Sequence, residues 1–115
     1  MGDFNDNPDS ESIKQYLTPA DMHNPMEKLL SRSRGSSKYR DSWFLFDQIL
    51  VSNTLLDKDK IGLFYEQADI FDPTYLREYK GRFKGNPFRT YAGKKHLGGF
   101  SDHFPVYASF AIRKF

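Results

Sequence analysis

The sequence contains no cysteine, which excludes disulfide bonds and thiolate metal sites and leaves the redox compartment undetermined. No apolar run approaches the roughly 20 residues that a membrane-spanning helix needs, so we predict no transmembrane segment. The first 20 residues are acidic and polar, unlike a secretory signal peptide.

Aliphatic side chains are also scarce. Apolar residues make up 38% of the 115 residues, whereas aromatic residues reach 17%, with eleven phenylalanines and seven tyrosines. This length suits one domain. The composition fits a core built from large rings, or a piece whose partner supplies the rest of the core.

The net charge of +2 conceals an uneven distribution of charge. Residues 1–30 carry six acids against two bases, and residues 77–95 carry seven bases against one acid. The basic tract alternates with aromatic residues, so it can attract phosphates and stack bases, or it can be a solvated loop. A smaller basic stretch, residues 32–40 with Gly35-Ser36-Ser37, predicts a flexible loop.

Hydrophobic patterning predicts short helices and mixed strands, which indicates an α/β layered arrangement. We expect helices at 10–17, after Pro25 and at 73–79, strands at 43–52, 62–70 and 105–115, and a long loop over 81–99. Pro19 should end the first helix. Met1-Gly2 resembles the last step of a strand.

Polar residues with catalytic potential lie beside three of these segments. Asp3 and Asn5 open the chain, Asp47 interrupts the apolar run at 43–52, and Asp102-His103 precedes the last strand. Hydrolysis of a phosphate ester requires a divalent ion or cations to withdraw charge, a base to activate water, and donors for the phosphoryl oxygens. Carboxylates, an amide and an imidazole supply those functions.

The segments Gly2-Asp3-Phe4-Asn5-Asp6 and Ser101-Asp102-His103-Phe104-Pro105-Val106 together resemble the signature of the endonuclease/exonuclease/phosphatase (DNase I-like) superfamily. Leu45-Phe46-Asp47-Gln48 is similar to the intermediate aspartate segment of that family. The stretch from Arg89 to His103 resembles bacterial, secreted-type members of unknown substrate. The resemblance implies a four-layer α/β sandwich of mixed, largely antiparallel sheets, about twice the length of this chain.

Roles for individual residues follow from that resemblance. Asp3 would position the nucleophilic water, and Asn5 would bind the scissile phosphate. His103 would contact that phosphate as acid, base or donor, with its imidazole held by Asp47. Asp102 would lie at or near a Mg²⁺ or Mn²⁺ ion.

Arg89 is the remaining residue that the resemblance places at the substrate. The principal metal-binding glutamate of the family finds no counterpart, so residues 1–115 are expected to form a single partial domain, the C-terminal half of the family domain. Leu45 stands where many relatives have arginine, and Gln48 where many have tyrosine. These differences put nuclease-type substrate contacts in doubt.

The resemblance predicts part of a metal-dependent phosphoesterase acting on nucleic acid, an inositol phosphate or a lipid. We expect the chain alone to be inactive and to dimerise, swap strands or bind the missing half, because a half sandwich exposes an apolar face. The alternatives are a non-catalytic self-associating fragment and a nucleic-acid-binding module that uses residues 77–95. The secreted-type relatives favour a secreted or periplasmic location.

Overall fold

The computed structural model describes residues 1–18 and 20–115. Short strands dominate this part of the chain, with three short helical turns between them. The strands are β1 (Gly2–Asp3), β2 (Met22–His23), β3 (Ser37–Tyr39), β4 (Ser42–Phe44), β5 (Asp47–Gln48), β6 (Val51–Ser52), β7 (Gly62–Ile70), β8 (Tyr91–Ala92), β9 (Lys95–His96) and β10 (Val106–Arg113). A π-helical turn spans Ser12–Leu17, and 3₁₀ turns span Asn53–Leu56 and Thr74–Leu76.

The longest sheet pairs β7 with β10 in antiparallel register, from Val106 opposite Ile70 to Arg113 opposite Gly62. The register shifts between Ser109 and Phe110, which marks a β-bulge. Strict alternation of side chains predicted both strands, and the structure confirms them.

Four smaller antiparallel pairs complete the described strands: β1 with β5, β2 with β6, β3 with β4, and β8 with β9. The architecture is thus mixed and rich in strands, with few helices and small antiparallel sheets, which is consistent with the α/β class.

The continuous strand predicted over 43–52 is wrong. The structure divides this run into β4, β5 and β6, and each pairs with a different strand. Leu45, Gln48 and Val51 are the buried residues of the run, so burial recurs every third residue rather than every second. The prediction failed because a run of apolar residues reports burial and not the identity of the pairing partner.

Other element predictions need correction. The chain after Pro25 forms turns instead of a helix, with the Leu29 amide donating to the Met26 carbonyl. The stretch 32–40, expected to be a flexible loop, contains β3, and the long loop at 81–99 contains the β8–β9 hairpin. Helix 10–17 shortens to Ser12–Leu17, and 73–79 shortens to one 3₁₀ turn. The predicted stop at Pro19 lies outside the described residues.

The main hydrophobic core consists of Met26, Leu45, Ile70 and Phe104, all at most 2% exposed. The Trp43 ring stacks on Phe104, with the ring centroids 6.1 Å apart. Because Phe104 follows His103 directly, the core anchors the segment that carries the imidazole.

A charged network lies beside this core. Arg34 Nε donates to Asp72 Oδ2 at 3.0 Å, and Arg77 donates to the same oxygen at 2.6 Å. The Arg77 guanidinium also lies 5.1 Å from the centroid of the Phe104 ring, a cation–π distance. Arg34, from a distant loop, and Arg77, at the end of the 3₁₀ turn that follows Asp72, therefore meet at one carboxylate beside Phe104.

Among the described residues, no helix is both long and apolar enough to cross a lipid bilayer.

Candidate active site

Asp47 and Asp3 are brought together by the pairing of β1 with β5. The two residues are directly opposite in antiparallel register, where side chains point to the same face of a sheet. Next to this pair, the Phe4 amide donates to the Phe46 carbonyl at 2.8 Å. The first residues of the chain are thus held against the middle of the sequence by backbone hydrogen bonds.

His103 reaches the same place from the other end of the chain. Its Nδ1 lies 2.7 Å from Asp47 Oδ2. A carboxylate only accepts hydrogen bonds, so Nδ1 carries the proton and donates, which leaves Nε2 as the unprotonated nitrogen of the neutral ring. The His103 amide donates to the Ser101 hydroxyl at 3.1 Å, which shapes the turn ahead of the imidazole.

Asp3, Asp47 and His103 form a compact group in which one potential ligand atom from each lies within 4.8 Å of the others. Asp3 is exposed, while Asp47 and His103 are partly buried, with 21% and 28% of their side chains exposed. The group therefore combines a solvent-facing carboxylate with a more shielded carboxylate–imidazole pair.

Asn5 lies next to this group. Its backbone amide donates to Asp3 Oδ1 at 2.9 Å, and its φ of 56° is left-handed, a conformation that asparagine tolerates better than most residues. Asn5 thus fixes the turn that presents the Asp3 carboxylate, and its exposed side chain remains available to solvent.

Ser36 is a residue of this site that the sequence interpretation missed. It is fully buried, and its hydroxyl donates to Asp47 Oδ2 at 2.5 Å. Small polar residues beside a glycine are typical of mobile loops, and the sequence carries no other signal for this contact.

Gln48, which the sequence marks only as a departure from the family pattern, has a structural role beside the site. It is fully buried, it accepts a hydrogen bond from Asn24 at 2.8 Å, and it donates to the carbonyls of Asp6 and Leu45 at 2.6 Å and 2.9 Å. The side chain therefore ties two loops to β5, next to Asp47.

Asp102 and Arg89 lie on another side of His103. Together with Lys38 and three aromatic residues they line a depression of about 340 Å³. Asp102 is exposed and lies outside the group formed by Asp3, Asp47 and His103 among the described residues. Its assignment to the metal and that of Arg89 to the substrate stay predictions.

Two further depressions adjoin the same group. One of about 280 Å³ is lined by Asp47, His103 and apolar residues, and one of about 200 Å³ is lined by Asp3, Asp47 and their neighbours. At least one member of the carboxylate–imidazole pair thus borders each of the three surface depressions.

Basic side chains of the tract at 77–95 have two kinds of partner, a carboxylate and neighbouring aromatic rings. Arg77 is bound to Asp72, whereas Lys80 and Arg82 lie 5.3 Å and 5.5 Å from the neighbouring rings of Tyr79 and Phe83. The carbonyl of Gly85 accepts from Arg77 at 3.1 Å. Part of the tract therefore has an intramolecular structural role.

A family model described as "Endonuclease/Exonuclease/phosphatase family" matches residues 1–113. Neither the curated proteins nor the solved structures produced a match.

Proposed function

The chain belongs to the endonuclease/exonuclease/phosphatase family, and we propose that it forms part of a divalent-metal-dependent phosphoesterase that hydrolyses phosphate esters by activating water. Family membership alone indicates a phosphoesterase- or nuclease-type hydrolase. The observation that carries the finer proposal is the convergence of Asp3, Asp47 and His103 within 4.8 Å, although they lie far apart in the sequence.

Each residue then has a defined task. His103 Nε2 exchanges a proton with the phosphate or its leaving group, since an imidazole can act as acid or base near neutral pH. Asp47 holds the ring through Nδ1 and stabilises its charged form. Asp3 orients the attacking water, and the side-chain amide of Asn5 donates to a phosphoryl oxygen.

The donor set fits a Mg²⁺ or Mn²⁺ site that this chain completes only in part. Mg²⁺ takes one or two carboxylates and otherwise keeps waters and substrate oxygens. Asp47 Oδ2 and His103 Nδ1 are occupied by each other, so Asp3 is the carboxylate of the group best placed for a metal, with Asp102 as a second candidate. When bound, the ion would neutralise charge on the phosphoryl group.

The substrate remains a choice among nucleic acid, an inositol phosphate and a phosphate-containing lipid. Arg89 and Lys38 line one depression beside His103, and we propose that Arg89 binds an anionic group of the substrate there. A secreted or periplasmic location and a bacterial origin belong to the same proposal and rest on resemblance alone.

We further propose that residues 1–115 are the C-terminal portion of a four-layer sandwich domain, and that the chain by itself is inactive. The accessible surface of 8071 Å² supports this, since a compact monomer of 13.4 kDa exposes only about 6,500 Å². The surplus of about 1,600 Å² on this one chain is about twice the roughly 800 Å² that each partner buries in a standard-size interface.

The test replaces His103 by alanine in the full-length protein and measures Mg²⁺-dependent hydrolysis of bis-p-nitrophenyl phosphate. Loss of the proton-transferring group should lower kcat about 100- to 10,000-fold. His96→Ala is the matched control, because His96 is an exposed histidine on β9 that packs against Tyr91, and it should retain full activity.

A His103→Ala enzyme with near-normal turnover would remove the imidazole from the mechanism. The 115-residue chain alone should hydrolyse the same substrate only at the background rate. Robust metal-dependent turnover by that chain would show instead that its own residues complete the site.

A further inference from the structure

Ser36 contacts both segments that build the carboxylate–imidazole pair. Its side chain is 0% exposed, and its hydroxyl donates to Asp47 Oδ2 at 2.5 Å. The same oxygen accepts from His103 Nδ1 at 2.7 Å. One carboxylate oxygen therefore receives two hydrogen bonds, from a fully buried donor on one side and from the imidazole on the other.

The backbone of Ser36 reinforces this arrangement. Its amide donates to the Phe44 carbonyl at 2.9 Å, and its carbonyl accepts from the Phe104 amide at 2.7 Å. Phe44 lies three residues before Asp47, and Phe104 directly follows His103. Ser36 thus fixes both members of the pair through their neighbours in the chain as well as through its hydroxyl.

The order of contacts excludes a nucleophilic role for this serine. In serine hydrolases the hydroxyl contacts the imidazole and faces the substrate. Here the hydroxyl contacts the carboxylate and is closed off from solvent. A substrate cannot reach it, so any effect of Ser36 on turnover must act through Asp47.

We propose that Ser36 is a positioning residue whose hydroxyl locks the Asp47 carboxylate in the orientation that holds His103 for catalysis. This inference rests on the proposed function. A carboxylate with one hydrogen-bond partner can rotate about its terminal bond, whereas the second, buried partner selects one rotation. The imidazole then keeps Nε2 directed at the phosphate rather than sampling other orientations.

The experiment compares Ser36→Ala and Ser36→Cys with the parent enzyme in the full-length protein. We expect kcat to fall about tenfold with KM unchanged, as is typical when a hydrogen-bond partner behind a catalytic group is lost. Ser109→Ala is the control, a half-buried serine in the middle of β10, and it should leave kcat unchanged. The cysteine variant nearly preserves volume but donates only weakly, so it carries the test if the alanine variant does not fold.

A second measurement does not depend on turnover. The ¹⁵N-coupled Nδ1 proton of His103 should give a downfield, slowly exchanging NMR signal in the parent protein, and this signal should broaden or vanish in both Ser36 variants but persist in Ser109→Ala. Unchanged kcat together with an unchanged signal would overturn the positioning role. If the parent protein hydrolyses no phosphate ester, the proposed function fails, and the NMR signal alone then decides whether Ser36 orders the pair.

Discussion

At the scale of single residues, the identity of Gly35 is set by the close approach of two backbone segments. Ser36 can contact Asp47 only because the chain just before it passes directly beside β4. A Cβ atom on Gly35 would fall far inside van der Waals contact of the Phe44 carbonyl oxygen. Position 35 therefore requires glycine because there is no space for a Cβ atom, and not because the backbone there needs the conformational freedom of glycine.

Gly35→Ala should destabilise the fold by about 1–3 kcal/mol, because a rigid backbone carbonyl must move to make room. Gly2→Ala is the matched control, since a Cβ at Gly2 meets nothing within 4 Å. Urea unfolding monitored by tryptophan fluorescence measures both, and Trp43 is a suitable probe because it stacks on Phe104. Equal midpoints for the two variants would contradict the close-approach argument.

A carboxylate that is partly removed from water needs hydrogen-bond partners in the protein, and Asp47 has two. Placing a charge among apolar residues is costly unless hydrogen bonds replace the lost water. Ser36 and His103 supply two such bonds to one oxygen. The same contacts that replace the lost water around this carboxylate also hold the imidazole in one orientation, so one set of hydrogen bonds serves both side chains.

At the scale of elements, the Arg34–Asp72–Arg77 network connects otherwise separate loops. Burial of the Asp72 carboxyl raises its pKa, but hydrogen bonds and charge from Arg34 and the charge of Arg77 outweigh burial, and the net pKa lies below the ordinary value of 3.8. The hydrogen bond to Asp72 raises the pKa of the Arg34 guanidinium. Because the folded state favours the ionised carboxyl, this network stabilises the protein above pH 3.8, and the contribution is lost as the pH falls through the lowered pKa.

Asp72→Asn should reduce the free energy of unfolding at pH 7 by about 1–3 kcal/mol, since two partly buried guanidinium groups lose their charged acceptor. The difference from the parent protein should shrink progressively as unfolding is measured at pH values further below 3.8. Asp59→Asn is the control, because Asp59 is almost fully exposed and its pair with Arg113 is long, at 3.5 Å. A difference that stays constant from pH 7 down through the whole acid range in which the protein stays folded would exclude ionisation of Asp72 as its source.

At the scale of the whole molecule, the chain is extended for its length. Its radius of gyration is 16.4 Å, whereas a compact domain of 115 residues has about 13 Å. Exposed apolar residues gather near one end of the β7–β10 sheet, where Leu63 lies opposite Ile112 and both are about half exposed or more, at 49% and 67%. Exposed apolar surface of this kind is typical of a site that another protein surface covers.

We expect the chain on its own to self-associate through this end of the β7–β10 sheet. Size-exclusion chromatography with light scattering should show a dimer or a larger species, and Ile112→Lys should shift it toward monomer because a buried charge opposes association. Tyr16→Lys is the control, since Tyr16 is 74% exposed and lies on the π-helical turn. A stable monomer of the parent chain would count against this proposal.

The sequence by itself determined the elements and residues whose signal is local. Alternation of side chains identified β7 and β10, and residue chemistry singled out Asp3, Asp47 and His103. Both signals are local, because strand periodicity depends on neighbouring residues and the ligand type depends on a single side chain. Only the tertiary structure decided that the run at 43–52 is three strands, that residues near 36 are buried, and that Ser36 bonds to Asp47. These outcomes depend on which segments, distant in the sequence, pair with each other in the fold. A serine hydroxyl or an apolar run does not specify the segment that it will contact.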